Sequence, residues 1–416
     1  MMPRRLSGVA GPGILFACTA IGVSHLVQST RAGADYGLMM IGFVVLVSVL
    51  KYPFFEYGSR YASSTGASII DGYMRLGRPA LWMYLALTAA SMFLVTGAVG
   101  FVTAGFFENL FGVDLGGWTL VLLFGSCIAV LAVGKYAALE GLIKVIGAVL
   151  LVSTVAAFLL AVYNGPAEQA EGFVPDELWT ASGIFFLLAL MGWMPTAVDL
   201  SAWNSLWTIE RIKRLGSRPP LADTLLEFRL AYVITGVLAA MFVVLGALVI
   251  YGTGEELPNG SSAFAHSVVT LYTDTIGEWS YLLIAASAFS IMFGTVIAVL
   301  DGYSRSLRRT VELALSREGL GRLYTVLLFV VSGGAVIVVT QFQSDLKALV
   351  DFATVASFVI APVIGVLNLR LVTGGRIPAE DAPSAPLVWL SVAGIVFLAG
   401  FAAVFVLVQG GILQGF

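Results

Sequence analysis

Long apolar runs separated by short polar stretches follow one another along almost the whole chain. A helix needs roughly 20 apolar residues to cross the hydrocarbon of a bilayer. Eleven segments fit this requirement, at about 10–30, 37–57, 80–106, 118–134, 140–163, 181–207, 229–251, 280–302, 323–341, 347–371 and 386–410. A shorter amphipathic segment at about 262–275 is expected to form a helix outside the bilayer. The pattern therefore predicts an all-α polytopic membrane protein with eleven transmembrane helices.

Composition and charge agree with this prediction and add an orientation. The 416 residues are 59% hydrophobic and 11% charged, with a mean hydropathy of +0.94, whereas soluble domains are about one quarter charged. With the N-terminus inside, 18 of the 22 Lys and Arg residues fall on the cytoplasmic side, and Arg31 and Lys347 fall outside. Cytoplasmic loops are enriched in Lys and Arg. We therefore expect a multi-pass protein of the plasma membrane, with a cytoplasmic N-terminus and an external C-terminus.

Two of the spans contain residues that interrupt a membrane helix. Span 1 has Gly-Val-Ser-His at 22–25, and span 6 has "MGWMPTAVDLSAW" at 191–203. Pro195 removes a helix hydrogen bond, and Asp199 is costly in hydrocarbon unless it faces protein or water. Both spans are therefore predicted to be discontinuous.

The spacing of the two interruptions predicts an internal repeat. Spans 1 and 6 are five spans apart, and an odd offset places the second copy upside down in the membrane. Inverted repeats with discontinuous helices frame a substrate site at the bilayer midplane in many transporters. We expect repeat one at about 8–164, repeat two at about 180–372 and an extra helix at about 386–410.

Three stretches resemble the Nramp family of divalent-metal transporters. They are "GPGILFACTAIGVSHLVQSTRAGADYG" (11–37), similar to the family's first helix, "FFEYGSRYASSTG" (54–66), similar to the end of its second, and "GWMPTAVDLSAW" (192–203), similar to its sixth. The resemblance implies a LeuT-like fold, in which a 5+5 inverted repeat is followed here by one extra helix. It also implies transport of divalent metal cations.

The chain departs from the family at the residues that bind the metal. The family's Asp-Pro-Gly-Asn in helix 1, whose Asp and Asn coordinate the metal, is Gly-Val-Ser-His here, so Gly22 replaces the carboxylate and His25 the amide. In helix 6 Met194 matches the family's ligating Met, and Thr196 stands where the family has His. The acidic residues that move protons in the family's helix 3 have no counterpart at 83–107. The resemblance is therefore to a divergent branch, with weak or absent proton coupling by the family's route.

The candidate substrate site combines the two interruptions. Its predicted residues are Gly22, Ser24, His25, Met194, Thr196 and Asp199, with His25 and Met194 as metal ligands. Imidazole and thioether ligands favour copper, zinc, iron or nickel over magnesium or calcium. Each ligand has an alternative role. His25 could form a hydrogen bond between helices, and Met194 could be a packing residue, since both roles are common in membrane helices.

Other charged residues lie inside the predicted spans. Lys51 and Glu56 of span 2 are expected to snorkel or to pair with other helices. Asp351, close to the predicted outer end of span 10, is a candidate for the lining of an outer vestibule.

The favoured function is a secondary-active or facilitative transporter of a divalent metal cation that works by alternating access. The alternative is a LeuT-like transporter of a non-metal solute, because Gly22 cannot supply the negative charge that a dehydrated divalent cation needs. A third class is a membrane sensor or scaffold. An enzyme is not expected, since the two histidines accompany no nucleophile-base motif. We expect no cofactor and no nucleic acid; the implied partners are a small ion or solute and the lipid bilayer, and the oligomeric state is left open.

Overall fold

The chain was analysed as a computed structural model that describes residues 12–133, 136–342 and 345–409, with side chains described except at 133–148 and 408–409. Within these residues every regular element is a helix, and each predicted span contains helix. Seven helical segments are long and apolar enough to cross a membrane, and shorter apolar helices lie in predicted spans 4, 5 and 6. The all-α polytopic fold class is confirmed. The outer limits predicted for the spans and repeats, at residues 8, 10 and 410, lie outside the described residues.

The helices follow the predicted order of spans. In spans 1 to 5 they are α1 (Pro12–Ala20), α2 (Thr30–Tyr36), α3 (Met40–Thr65), α5 (Arg78–Phe111), α6 (Gly117–Val133) and α7 (Tyr136–Asn164). In spans 6 to 11 they are α8 (Ala181–Gly192), α9 (Leu200–Leu215), α10 (Leu221–Val249), α12 (Tyr281–Ala314), α13 (Gly321–Thr340), α14 (Leu346–Thr373) and α15 (Ala385–Gln409). Two further helices, α4 (Ile69–Leu76) and α11 (Ser261–Ile276), connect spans. The second of these confirms the helix predicted at 262–275.

Span 1 is interrupted as predicted, but over a different stretch. Helix α1 ends at Ala20, the chain bends at Gly22, and a π-helical turn at Ser24–Ser29 then leads into α2. Within the predicted interruption at 22–25, only Gly22 lies outside a helical turn. The backbone N–H groups of His25 and Leu26 both donate to the Gly22 carbonyl oxygen at 3.0 Å, and this shared acceptor starts the next helical turn at once.

Span 6 is interrupted more completely. Helix α8 ends at Gly192 and α9 begins at Leu200, and residues 193–199 between them are not helical. Pro195 has no backbone N–H, so the α8 ladder cannot continue through it. The predicted discontinuity of span 6 is therefore confirmed.

Small residues bring span 7 very close to the second half of span 1. A Cβ atom at Gly33 of α2 would overlap the carbonyl oxygen of Val243 in α10, and one at Gly246 of α10 would overlap that of Thr30. Glycine at both positions allows the two backbones to meet, as is common between membrane helices. This contact and the packing of α10 on α1 and α3 place span 7 beside the bend in span 1.

Candidate functional site

The interruptions of spans 1 and 6 lie against each other in the interior. The Ser24 hydroxyl oxygen lies 3.5 Å from the carbonyl oxygen of Pro195. The Ser29 hydroxyl lies 3.7 Å from the Met194 sulfur. All four residues belong to the buried interior. The two stretches that the sequence singles out therefore form one contiguous site.

A cavity of about 30 Å³ lies at this junction, between spans 1, 3, 6 and 8. Its polar lining comes from Thr19, Ser24, Thr196 and Thr295, and its larger apolar lining from Val95, Val99, Trp193 and Trp203. The described residues that line it are all uncharged. This volume holds no more than about two waters, since one needs roughly 10–15 Å³. The structure therefore represents a conformation in which the cavity is nearly closed.

Gly22 faces span 8 rather than open space. A Cβ atom at this position would lie 3.1 Å from both the Oγ1 and the Cγ2 atoms of Thr295. The Thr295 hydroxyl in turn donates to the Ile291 carbonyl oxygen at 3.0 Å, which holds the side chain in place. A carboxylate-bearing residue at position 22 would therefore require Thr295 to shift by a few tenths of an ångström.

The His25 ring is buried against span 7. Its Nε2 atom is 2.9 Å from the carbonyl oxygen of Thr235 and must carry the proton, because a carbonyl can only accept. Its Nδ1 atom lies 2.8 Å from the Ser24 hydroxyl. The ring packs edge-on against Phe242 of the same helix, with centroids 6.3 Å apart. Both ring nitrogens therefore have protein partners in this conformation.

The two predicted metal ligands, His25 and Met194, do not line the cavity. His25 bonds to span 7, whereas the Met194 sulfur accepts from Ser29. Across the described part of the chain, no group of three or more His, Cys, Asp or Glu residues is arranged to hold a metal ion. Metal binding through these two side chains stays a prediction.

Of the other predicted site residues, Ser24 and Thr196 line the cavity and Asp199 does not. Asp199 ends the non-helical segment of span 6 and is 3% exposed. Its Oδ2 atom has no hydrogen-bond partner among the described residues. Asp199 is therefore a buried, incompletely satisfied acid next to the cavity rather than on its surface.

Lys51 of span 2 is a site residue whose role the sequence interpretation missed. It is fully buried, which excludes snorkelling, and it contacts span 6, as the alternative of pairing with another helix predicts. Its Nζ atom donates to the carbonyl oxygens of Met191, Gly192 and Thr196, at 3.2, 2.8 and 3.1 Å. The available signal was a lone lysine inside an apolar span, since such residues are rare and face protein or water.

A buried ion pair joins spans 1 and 10 at one end of the site. The Arg31 guanidinium binds Asp351 through two parallel hydrogen bonds of 2.7 and 3.0 Å. Gln28 donates to the same carboxylate at 2.9 Å, and Arg31 lies over the Phe186 ring at 5.0 Å. The cluster lies on the side of span 1 that the charge distribution predicts to be external. Sequence reasoning had treated Arg31 as a loop charge and Asp351 as a vestibule residue.

Further ion pairs involve the second half of span 2 and the helix α4 that follows it. The buried Glu56 carboxylate accepts from Arg60 at 2.5 Å and from Arg229 at 3.4 Å. Asp71 of α4 accepts from Arg309 of α12 at 2.5 Å. The predicted pairing of Glu56 with another helix is confirmed by Arg229 of α10. The site is thus flanked by ionic contacts on both sides.

Comparison with solved structures places the fold among the LeuT-like transporters. Crystal structures of a manganese transporter of Eremococcus coleocola match with TM-scores of 0.68 to 0.73 at 13–14% identity, over 96% of this chain and 86% of that chain. MhsT, solved with L-phenylalanine, matches at 0.62 and 12% identity, over 96% and 98%. Mhp1, a nucleobase-cation-symport-1 family transporter with bromovinylhydantoin bound, matches at 0.61 and 12%, over 98% and 94%.

Comparison at the level of sequence identifies a relative whose function is not described. No protein-family profile matches the chain. The chain is 36% identical to the uncharacterised protein PM0681 of Pasteurella multocida (strain Pm70) over 409 residues, which are 97% of this chain and 93% of that protein. It therefore belongs to the family of PM0681.

The Arg31–Asp351 pair generates a prediction about access to the site. A cysteine at position 24 (Ser24→Cys), in a background with Cys18→Ala and Cys127→Ala, reports access through its rate of modification by a membrane-impermeant thiol reagent. Breaking a buried ion pair by removing one partner costs about 3–5 kcal/mol. We expect Arg31→Ala to open this side and to raise the modification rate at least about tenfold.

Two controls accompany this measurement. Lys213→Ala removes an exposed ion pair with Glu210, and such pairs contribute only about 0–1 kcal/mol, so the rate should not change. The double variant Arg31→Met/Asp351→Leu leaves no unpaired charge and should restore slow modification. Equal rates in Arg31→Ala and its parent would show that the pair does not close the site.

Proposed function

We propose that the protein is a secondary-active or facilitative transporter that moves a small solute across the membrane by alternating access. The observation that carries the proposal is the meeting of two broken spans at a small internal cavity with ionic contacts on either side. Such broken helices expose backbone groups only where protein or a cavity satisfies them. The LeuT-like fold of the chain supports this function, since its fold neighbours are transporters.

The proposal includes the repeat organisation that the sequence predicts. Repeat one at about 8–164 contributes the break in span 1, repeat two at about 180–372 contributes the break in span 6, and the helix at about 386–410 stands outside both. Rocking of one group of helices against the other would open the cavity to each side in turn. The predicted topology, with the N-terminus cytoplasmic and the C-terminus outside in the plasma membrane, makes the Arg31–Asp351 pair the external closure.

The lining of the cavity favours an uncharged polar solute. The described lining offers hydroxyl groups and indole rings but no carboxylate, and a dehydrated divalent cation requires at least one anionic ligand. The indole N–H of Trp203, a residue of the cavity wall, is buried and has no partner among the described residues. An organic solute would enter only after the two breaks separate, because the closed cavity is too small for it.

A divalent metal cation is the second candidate. It is favoured by the fold shared with a manganese transporter and by Met194, which matches the ligating Met of the Nramp motif. This candidate function goes together with membership of a divergent branch of the Nramp family. Metal binding at the site would require His25 to release the Thr235 carbonyl and Asp199 to turn toward the cavity.

Flux into proteoliposomes tests the proposed function. The probes are radiolabelled amino acids, nucleobases and sugars, together with Mn²⁺, Zn²⁺ and Mg²⁺. We expect uptake of at least one organic solute, and an apparent affinity about two- to tenfold weaker in Thr196→Val, because a lost hydrogen bond costs about 0.5–1.5 kcal/mol. Thr340→Val, at an exposed hydroxyl, is the matched control and should leave affinity unchanged. Uptake of metals alone would contradict the solute proposal, and absence of all flux would leave the sensor or scaffold class.

Calorimetry on designed variants tests the metal candidate separately. We expect wild type and His25→Ala to show no heat of binding with Mn²⁺, Zn²⁺ or Mg²⁺. Gly22→Asp alone places its Cβ atom against Thr295, whereas with Thr295→Ala the nearest remaining atom, the Cβ at position 295, lies at an ordinary contact distance of 3.6 Å. The double variant should therefore gain Mn²⁺ binding. Wild-type binding that His25→Ala abolishes would establish the metal site instead.

A further inference from the structure

The carbonyl groups in the last turn of α8 need hydrogen-bond donors from outside the helix. The last four carbonyl groups of an α-helix have no partner within the helix. They also carry the negative end of the helix dipole, equivalent to about half an elementary charge. Inside a membrane protein no bulk water reaches them. The carbonyl of Gly192 is in this position because span 6 breaks immediately after it, and that of Met191 accepts a long backbone bond of 3.4 Å from the N–H of Met194.

Lys51 meets this requirement with three hydrogen bonds. An ammonium group has three donors and no acceptor. The three carbonyl oxygens, of Met191, Gly192 and Thr196, lie 2.8–3.2 Å from its Nζ atom, so each donor has an acceptor. The side chain is fully buried. The carbonyls thus surround a single positive charge, as they would surround a bound alkali cation, for which rings of backbone carbonyls are known ligands.

Asp199 is the buried acid that follows the carbonyl-bearing segment. Its charge acts on the Lys51 ammonium from beyond salt-bridge distance. The acidic group nearest to Lys51 along span 2, Glu56, is already engaged by Arg60 and Arg229. The acid of span 10, Asp351, is engaged by Arg31. Among these acids, Asp199 keeps an oxygen, Oδ2, that has no partner among the described residues.

We propose that the carbonyl oxygens of Met191, Gly192 and Thr196 form a monovalent-cation site that the Lys51 ammonium fills as a tethered cation. The break in span 6 is then neutralised by the chain itself, without a bound sodium or potassium ion. Removing the ammonium creates a site for a free alkali cation or a small ammonium ion. This inference concerns binding and stability and does not depend on the proposed transport function.

Chemical rescue of Lys51→Ala tests the proposal. Thermal unfolding in detergent is recorded in methylammonium, potassium, sodium and N-methylglucamine chloride at constant ionic strength. We expect the variant to melt lower than wild type in N-methylglucamine, which is too large for the site. Its midpoint should rise saturably with methylammonium or an alkali cation, while wild type responds equally to all four salts.

Two variants separate the site from a general salt effect. Lys51→Met fills the space of the stem without a charge and should show no saturable rise. Lys51→Ala/Asp199→Asn should keep the rise but with an apparent cation affinity roughly tenfold weaker, because a buried opposing charge is lost. If Lys51→Ala is folded only in the presence of small cations, the folded yield in methylammonium replaces the midpoint as the readout.

The overturning results are equally specific. A Lys51→Ala protein that no small cation stabilises, or whose folded yield methylammonium does not raise, would show that the carbonyls do not form a cation site. A saturable, cation-specific rise in wild type would show that a free ion, rather than Lys51, fills it.

Discussion

The break in span 6 is the constraint on which the rest of the site depends. Residues 193–199 leave the helix inside the protein, where the freed carbonyl groups cannot turn to water. Lys51 of span 2 donates hydrogen bonds to three of these carbonyl groups at once. Burying its charge inside the membrane is unfavourable, and these bonds offset that penalty. Pro195 ends α8, and the Lys51 contact ties the last carbonyls of that helix to the segment that follows it. The contact thereby places Thr196 in the cavity wall and the Pro195 carbonyl opposite Ser24.

The distribution of charge follows from the same constraint. Lys51 is bound to carbonyls, Arg31 and Asp351 pair at one end of the site, and Glu56 is paired at the other. These charged groups therefore lie outside the cavity lining, and the described lining itself is uncharged. Ionic contacts suit surfaces that must separate and re-form, whereas hydroxyl and indole groups suit recognition of a neutral polar solute. The architecture is therefore compatible with a transporter whose cargo carries no strong charge.

The sequence predicted the fold and the position of both breaks because their signals are local. Apolar length defines the spans, and Pro195 and Gly22 interrupt helices wherever the chain places them. The partners across the site are not local signals. The acceptors of Lys51 lie about 140 residues away, and Arg31 finds Asp351 across 320 residues, so only tertiary packing reveals them.

The family motif likewise does not define the contacts that single side chains make. Gly22 occupies the position of a metal-binding aspartate in the resemblance, but Thr295 of span 8 fills the adjoining space. The motif suggests His25 and Met194 as joint metal ligands. In the structure, however, the His25 ring bonds to span 7 and the Met194 sulfur lies next to the Ser29 hydroxyl. Which way a buried ring turns depends on its hydrogen-bond partners, and the Thr235 carbonyl could not be identified before the packing of span 7 was known.

The most direct test of the account is a crystal structure from crystals grown with manganese chloride, with an anomalous difference map recorded above the manganese absorption edge. The account predicts no anomalous peak in the cavity between Ser24, Thr196 and Thr295, and Lys51 density that reaches the carbonyl oxygens of α8. A manganese peak coordinated by His25 or Met194, or Lys51 density directed away from those carbonyls, would contradict it.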